Sequence, residues 1–401
     1  MLNTLRQLPK SIWVLGFVSM LTDISSEMIH SLLPLFLVGT LGASSLMVGL
    51  IEGLAEGLAM VIKVFSGSLS DYLGKRKWLA VFGYAMSALT KPLFALAPSI
   101  GFVVTARLAD RIGKGIRGAP RDALIADITP AESRGAAFGL RQSLDTVGAF
   151  MGPLIAVALM LLWANDFRKI FWVAVLPAML AVALLAFGVV EPDQQQKAKS
   201  GNPFSKNNLR RLSFNYWWVV AVGAVFTLAR FSEAFLILRA QQVGVPIALV
   251  PLVMVAMNIV YSACAFPFGH LSDKVNRLYL LAAGLLVLIM ADLVLAHSTH
   301  WGALLLGVAL WGIHMGMTQG LLAAMVAATA PADLRGTAFG FFYLMSGVAL
   351  LIASTVAGLL WDSYGAAFTF YAGAGFCVLT LIALLTAPRG SVEVVDQTRL
   401  G

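Results

Sequence analysis

The chain has 401 residues, of which 59% are hydrophobic and 12% charged. A soluble domain carries about a quarter charged residues, so composition excludes an ordinary soluble enzyme or binding module and selects a polytopic membrane protein. The formal charge of +8 does not imply nucleic-acid binding, because basic residues collect on the cytoplasmic side of any inner-membrane protein.

Only helices or closed barrels satisfy the backbone in lipid, and long apolar runs without period-two alternation select helices. Each span needs about 20 apolar residues, so the length accommodates roughly a dozen. A short tail with Arg6 and Lys10 comes first, and no cleavable leader is read because the first apolar run is too long. Spans are predicted at 12–38, 46–70, 78–97, 100–128, 134–163 and 170–190. A polar linker, 191–215, carries Lys197, Lys199, Lys206, Arg210 and Arg211. Six more spans follow at 216–240, 247–271, 278–297, 301–329, 336–361 and 365–386, and 389–401 is a tail.

The halves echo each other. Pro130-Ala131-Glu132-Ser133-Arg134-Gly135-Ala136-Ala137-Phe138-Gly139 returns as Pro331-Ala332-Asp333-Leu334-Arg335-Gly336-Thr337-Ala338-Phe339-Gly340, and Ser26-Glu27 returns as Ser232-Glu233. Duplication of this size predicts an all-α membrane protein of 12 transmembrane helices in two pseudo-symmetric six-helix bundles, 1–190 and 216–388. Inner loops would then hold Lys75, Arg76, Lys77, Arg134, the linker cations, Lys274, Arg277, Arg335, Arg389 and Arg399. Outer loops would hold only Arg168, Lys169 and Arg239. That asymmetry places both termini in the cytoplasm of a prokaryote and the spans in its inner membrane.

The turn Gly67-Ser68-Leu69-Ser70-Asp71-Tyr72-Leu73-Gly74-Lys75-Arg76-Lys77 resembles the signature loop between the second and third helices of the major facilitator superfamily. A shorter copy stands at Gly269-His270-Leu271-Ser272-Asp273-Lys274-Val275-Asn276-Arg277. In the fifth span, Gly139, Gly148, Gly152 and Pro153 form a partial match to the motif of the superfamily's proton-driven drug exporters, with Ala156-Val157 in place of its closing Gly-Gly pair. Small residues four apart also let helix backbones approach closely. The resemblance covers nearly the whole chain. It implies a secondary active transporter working by alternating access, nearest to the 12-helix drug:proton antiporters, with Gly67, Asp71, Gly74, Arg76, Gly269 and Asp273 forming a conformational latch. Asp71 would contact the basic groups below the fourth span, between Arg117 and Asp122.

Ionisable residues inside the spans cost about 2.5–3.5 kcal/mol each at a helix centre, so they line a hydrated cavity or pair with one another. Asp23, Glu27 and His30 share one face of the first span. Glu27 is the first choice for a proton carrier and Asp23 the second; a fixed ion pair with Arg107, Arg141 or Lys91 is the alternative for Glu27. Glu52, Glu56 and Lys63 form a stripe on the second span, structural or functional. The fourth span carries Arg107, Arg111, Lys114, Arg117 and Arg121 at intervals of three or four. The superfamily's proton-coupling arginine in R-x-x-Q-G-x-G maps onto Arg107 or Arg111, with the deeper Arg107 preferred. A cationic stripe also suits an anion, since arginine binds carboxylate or phosphate bidentately. Glu52, Glu56, Lys91, Arg111, Arg141, Arg230, Glu233 and His314 are the candidate substrate contacts, although a satisfied buried histidine is the plainer reading of His314.

Cys264 and Cys377 make neither a metal-binding spacing nor a disulfide framework. No full phosphate-binding loop follows a strand, and no nucleophile–base pair is present, so no enzyme, metal or cofactor is expected. The expected task is proton-coupled efflux of a small organic or amphiphilic compound by a monomer in the lipid bilayer. The alternative is a proton-coupled carrier of an organic or phosphorylated anion or siderophore-like chelate, in either direction.

Overall fold

The first span begins directly after Pro9, whose fixed φ suits a helix start and whose missing N–H costs nothing there. A computed structural model describes residues 8–73, 75–130, 133–191, 211–272, 275–318, 321–331 and 334–385. The predicted linker between 192 and 210, the tail 389–401, Gly74 and Asp273 lie outside the described residues, as does the side chain of Asp71.

Among the described residues there are helices and no strands. They are α1 Lys10–His30, α2 Ser45–Leu73, α3 Arg76–Leu96, α4 Ile100–Ile128, α5 Arg134–Leu162, α6 Phe167–Gly188, α7 Phe214–Ala229, α8 Ala234–Gln242, α9 Leu252–Ser272, α10 Arg277–His297, α11 Trp301–Thr318, α12 Leu321–Thr329, α13 Arg335–Tyr364 and α14 Ala366–Leu385. Ten helical stretches are long and apolar enough to cross a membrane. The two predicted spans outside that group are α4, which is too charged, and the seventh, which breaks at 230–233 into α7 and α8. The first span also departs from one continuous helix. After α1 it resumes as a turn at Leu33–Leu35 containing Pro34, then widens into a π turn at Phe36–Thr40. A proline inside a helix removes a donor and crowds the preceding turn, which interrupts the ladder there.

Polar residues set several ends. Asp166 accepts the Lys169 N–H at the start of α6, Ser213 accepts from Tyr216 at α7, and Asn276 accepts from Leu278 at α10. Gly365, at φ +96°, turns the chain from α13 into α14, a conformation that other residues adopt only with strain.

The chain divides into two compact units. The first holds α1, α2 from Leu54 onward, α3 to α6 and Val245–Val255; the second holds Ser45–Gly53, α7, α8 and the chain from Ala256. In the first unit α1 packs on α5 and α6, and α3 packs on α4 and α6. Its apolar core gathers Leu15, Val18, Tyr84, Leu124, Ile125 and Leu185. In the second unit α7 packs on α13 and α14, and α10 packs on α11 and α14. Counted by predicted span, the first unit pairs 1 with 5 and 6, and 3 with 4 and 6. The second pairs 7 with 11 and 12, and 9 with 10 and 12, so the ten-residue echo in sequence corresponds to the same helix pairings in each unit.

Candidate functional site

Ionisable side chains inside the first unit converge on α4. Arg107, Arg111, Lys114 and Arg117 recur at intervals of three or four, and Arg107, Arg111 and Arg117 are buried together with Asp110, so the stripe is directed into the unit. Asp110 Oδ1 lies 2.9 Å from Lys91 Nζ of α3, and its Oδ2 lies 3.5 Å from Arg111 Nε. Glu56 of α2 lies 2.8 Å from Arg111 Nη1 and 3.9 Å from both Arg107 Nη2 and Lys114 Nζ. Two carboxylates therefore hold four cations together. Lys91 also donates to Ser26 Oγ on α1 at 3.3 Å, which ties the network to the acidic face of the first span.

On that face, Glu27 Oε2 sits 3.5 Å from His30 Nδ1. Helix α5 covers the same face closely. A Cβ at Gly148 would lie 2.6 Å from Met20 O and 2.8 Å from Asp23 Cβ; one at Gly152 would lie 2.8 Å from Glu27 Cβ and from Ile24 O. Only glycine fits beside each acid. Gly139, by contrast, has open space around it, so the packing expected of the whole glycine pattern is made by its second and third members.

The expected contact of Asp71 with the lower cations of α4 falls on a side chain outside the described residues. Arg117 Nη1 donates to Ser87 Oγ at 2.6 Å, and its guanidinium stacks over the Tyr84 ring at 4.7 Å. Arg121 donates to Asp122 Oδ1 at 3.0 Å and to Ser19 Oγ at 3.2 Å. Arg141 pairs with Asp145 one turn on, at 2.5 Å. Around the basic turn, Arg76 Nε lies 3.1 Å from Asp127 Oδ2, and Glu191 Oε1 accepts the N–H groups of Arg76 and Lys77. Asp127 and Glu191 escaped the sequence reading. Their only signal is a carboxylate in the last turn of a helix or just past its end, which becomes informative once the start of α3 is known to lie near the ends of α4 and α6.

The remaining candidates belong to the second unit. Glu52 is buried and groups there, although it shares a stripe with Glu56 one turn away; α2 passes from one unit to the other between Gly53 and Leu54. Arg230 and Glu233 flank the break between α7 and α8, with the Arg230 guanidinium 6.0 Å from the Phe226 ring. His314 is fully buried and its Nδ1 lies 2.9 Å from the Gly284 carbonyl oxygen, the arrangement of a structural histidine. Arg239, expected in an outer loop, is buried and donates to the carbonyls of Leu295, Ala296 and Ser298 at the end of α10. Burial is tolerated because the unpaired carbonyls of a helix C-terminus receive the charge. Asp362 was also missed: its carboxylate accepts the N–H groups of Ser45 and Leu46 at 3.0 and 2.8 Å, capping α2 from α13.

The profile of the Major Facilitator Superfamily matches residues 15–238 and, a second time, 219–400. The chain belongs to the Major Facilitator Superfamily. An uncharacterized MFS-type transporter of Methanocaldococcus jannaschii, MJ1317, is 35% identical over 391 residues, covering 95% of each chain. The inner membrane transport protein YajR of Escherichia coli is 25% identical over 396 residues, covering 94% of this chain and 83% of its own. In the solved structures, a mutant of the peptide transporter POT superposes with a TM-score of 0.80 at 15% identity, over 96% of both chains. The fold is thus the superfamily's, with twelve helices in two pseudo-symmetric bundles, and this superfamily member is a multi-pass membrane transporter rather than an enzyme.

Proposed function

We propose that the chain is a proton-coupled secondary active transporter that works by alternating access and exports a small organic compound. The observation that carries this reading is the seating of α5 on the acidic face of α1, with Gly148 against Asp23 and Gly152 against Glu27. A carboxyl covered in one arrangement and wetted in another exchanges its proton, because burial and neighbouring charge set its affinity. Any shift of α5 along α1 changes both. Glu27 is the carrier in this reading, Asp23 its alternate, and Arg107 the counter-charge on α4. The outward direction rests on the partial resemblance of the α5 glycine pattern to that of proton-driven exporters. The segments 1–190 and 216–388 act as the alternating lobes, latched on the inner side through Gly67, Asp71, Gly74, Arg76, Gly269 and Asp273. The chain works as a monomer in a prokaryotic inner membrane, and its asymmetry of basic loop residues supports a cytoplasmic position for both termini.

Purified protein in proteoliposomes loaded with a pH indicator tests this reading against a panel of amphiphilic organic compounds. At least one compound should draw a proton flux. In Glu27→Gln, exchange of that compound continues while the flux falls. An undiminished flux in Glu27→Gln overturns the assignment.

A second reading, an anionic substrate, is favoured by the cationic stripe on α4. Lys91, Arg107, Arg111 and Lys114 gather around Glu56 and Asp110. A carboxylate or phosphate arriving there would meet two arginine forks suited to it.

A further inference from the structure

The second unit contains a titratable group that this scheme leaves unused. Asp292, in the middle of α10, is 0% exposed, and both of its carboxyl oxygens are buried with no hydrogen-bond partner among the described residues. The carboxyl lies flat against α14: a Cβ on Gly373 would stand 2.7 Å from Asp292 Oδ2 and 3.0 Å from Phe231 Cε1. Phe231 belongs to the break between α7 and α8, and its ring is packed by Phe235, Trp311 and Phe370 at centroid distances of 5.4–5.6 Å. A glycine cradle and an aromatic wall thus enclose an acid at membrane depth.

The charged and titratable groups on the surrounding elements do not supply a counter-ion. On α11, His314 binds the Gly284 carbonyl. On α14, Cys377 is buried one turn beyond Gly373, and Tyr371 is bonded to His297. Helix α12 carries no ionisable residue. Arg239 on α8 is taken up by carbonyls at the end of α10. Arg230 and Glu233 flank Phe231 at the break. A lone carboxylate in such surroundings is prohibitively costly, whereas a neutral acid is not. A hard metal cation would need roughly six or more oxygen ligands, and aromatic carbon, a glycine backbone and a thiol do not provide them. A proton needs only the carboxyl itself.

We propose that Asp292 is a second proton-binding site, loaded while the aromatic group around Phe231 excludes water and emptied when the 230–233 break rearranges and admits it. The acid passes its proton to an entering water molecule, leaving carboxylate and hydronium, and regains one from hydronium, releasing water, before the wall closes. One proton would then be handled in the second unit, in addition to any carried on α1.

Infrared difference spectra of the lipid-reconstituted full chain, stepped from mildly acidic to mildly alkaline pH, test the site without a substrate. The carbonyl stretch of a protonated, buried carboxyl should be present near neutral pH, survive in Glu27→Gln and disappear in Asp292→Asn. In Asp292→Glu, which covers the case in which the amide variant fails to fold, the band should shift rather than vanish. A wild-type spectrum matched by both Asp292 variants overturns the proposal. The gating half is read by N-ethylmaleimide labelling of Cys377, with Cys264 in the same sample as reference. The labelling ratio should rise with pH in the wild type and stay flat in Asp292→Asn; identical pH profiles overturn it. A reduced proton flux in Glu27→Gln leaves these readouts unchanged, so the two proton assignments fail separately.

Discussion

Asp110 illustrates what a charge at membrane depth demands of its neighbours. Lys91 at 2.9 Å and Arg111 at 3.5 Å offset a desolvation cost that either partner alone would leave unmet. Removing one member of such a pair is expected to cost about 3–5 kcal/mol, so Asp110→Ala should lower the thermal midpoint sharply. Lys91→Met combined with Asp110→Leu should recover most of that loss, since two matched apolar side chains leave no orphan charge. Equal destabilisation by single and double variants would show that the site matters for shape rather than charge. At the membrane edge Asp166 behaves differently. The Lys169 backbone N–H holds its carboxyl below the usual carboxylate range. Because the folded form favours the ionised group, this contribution is present above the ordinary carboxylate pKa of about 3.9. It fades as pH falls into the acid range. Asp166→Ala should therefore cost about 1 kcal/mol near neutrality and nearly nothing in strong acid, read from unfolding midpoints at the two pH values.

At the scale of helices, the seam between α1 and α5 depends on absent side chains. A Cβ added at Gly148 or Gly152 would stand 2.6–2.8 Å from backbone or Cβ atoms of α1, whereas one at Gly139 would meet nothing within 4 Å. Gly148→Val should consequently destabilise by about 1–3 kcal/mol, as overpacking does, and disturb proton coupling through Asp23. Gly139→Ala should stabilise α5 by about 0.5–1 kcal/mol, because alanine loses less backbone entropy in a helix. Comparing unfolding free energies of the two variants checks both signs. The seventh span shows the opposite case. Its sequence reads as one apolar run, yet four residues, 230–233, leave the helix between α7 and α8. Arg230 and Glu233 stand at the two ends of that break. Non-helical backbone at membrane depth survives where protein or trapped water meets its polar groups, and here Ser232 N–H donates to Ser354 Oγ at 3.1 Å.

For the whole molecule, the distribution of charge matters more than its total. The +8 of the sequence is mostly loop charge, while the cations bearing on substrate choice are those of the α4 stripe. In a thermal-shift screen of purified protein, anionic solutes should raise the unfolding midpoint more than cationic ones of similar size. A ligand at 100 times its Kd contributes about 2.7 kcal/mol. A response confined to cations would exclude the anion reading and leave amphiphile export in place.

Class, helix count, duplication and the identity of the intramembrane charges follow from sequence alone, because lipid tolerates few backbone solutions and makes every buried charge conspicuous. The face shared by Asp23, Glu27 and His30 follows from helical periodicity, and the close fit of α5 from small residues spaced by four. Which cation meets which carboxylate does not follow. Arg111 rather than Arg107 sits at 2.8 Å from Glu56, Lys91 chooses Asp110, and Arg117 turns to Ser87 and Tyr84. Likewise, nothing local marks Asp362 as the cap of α2 or sets Asp292 against Gly373. Periodicity tells which side of a helix a residue occupies; only the packing of distant helices decides what stands opposite, and for a charge in an apolar medium that neighbour determines its chemistry.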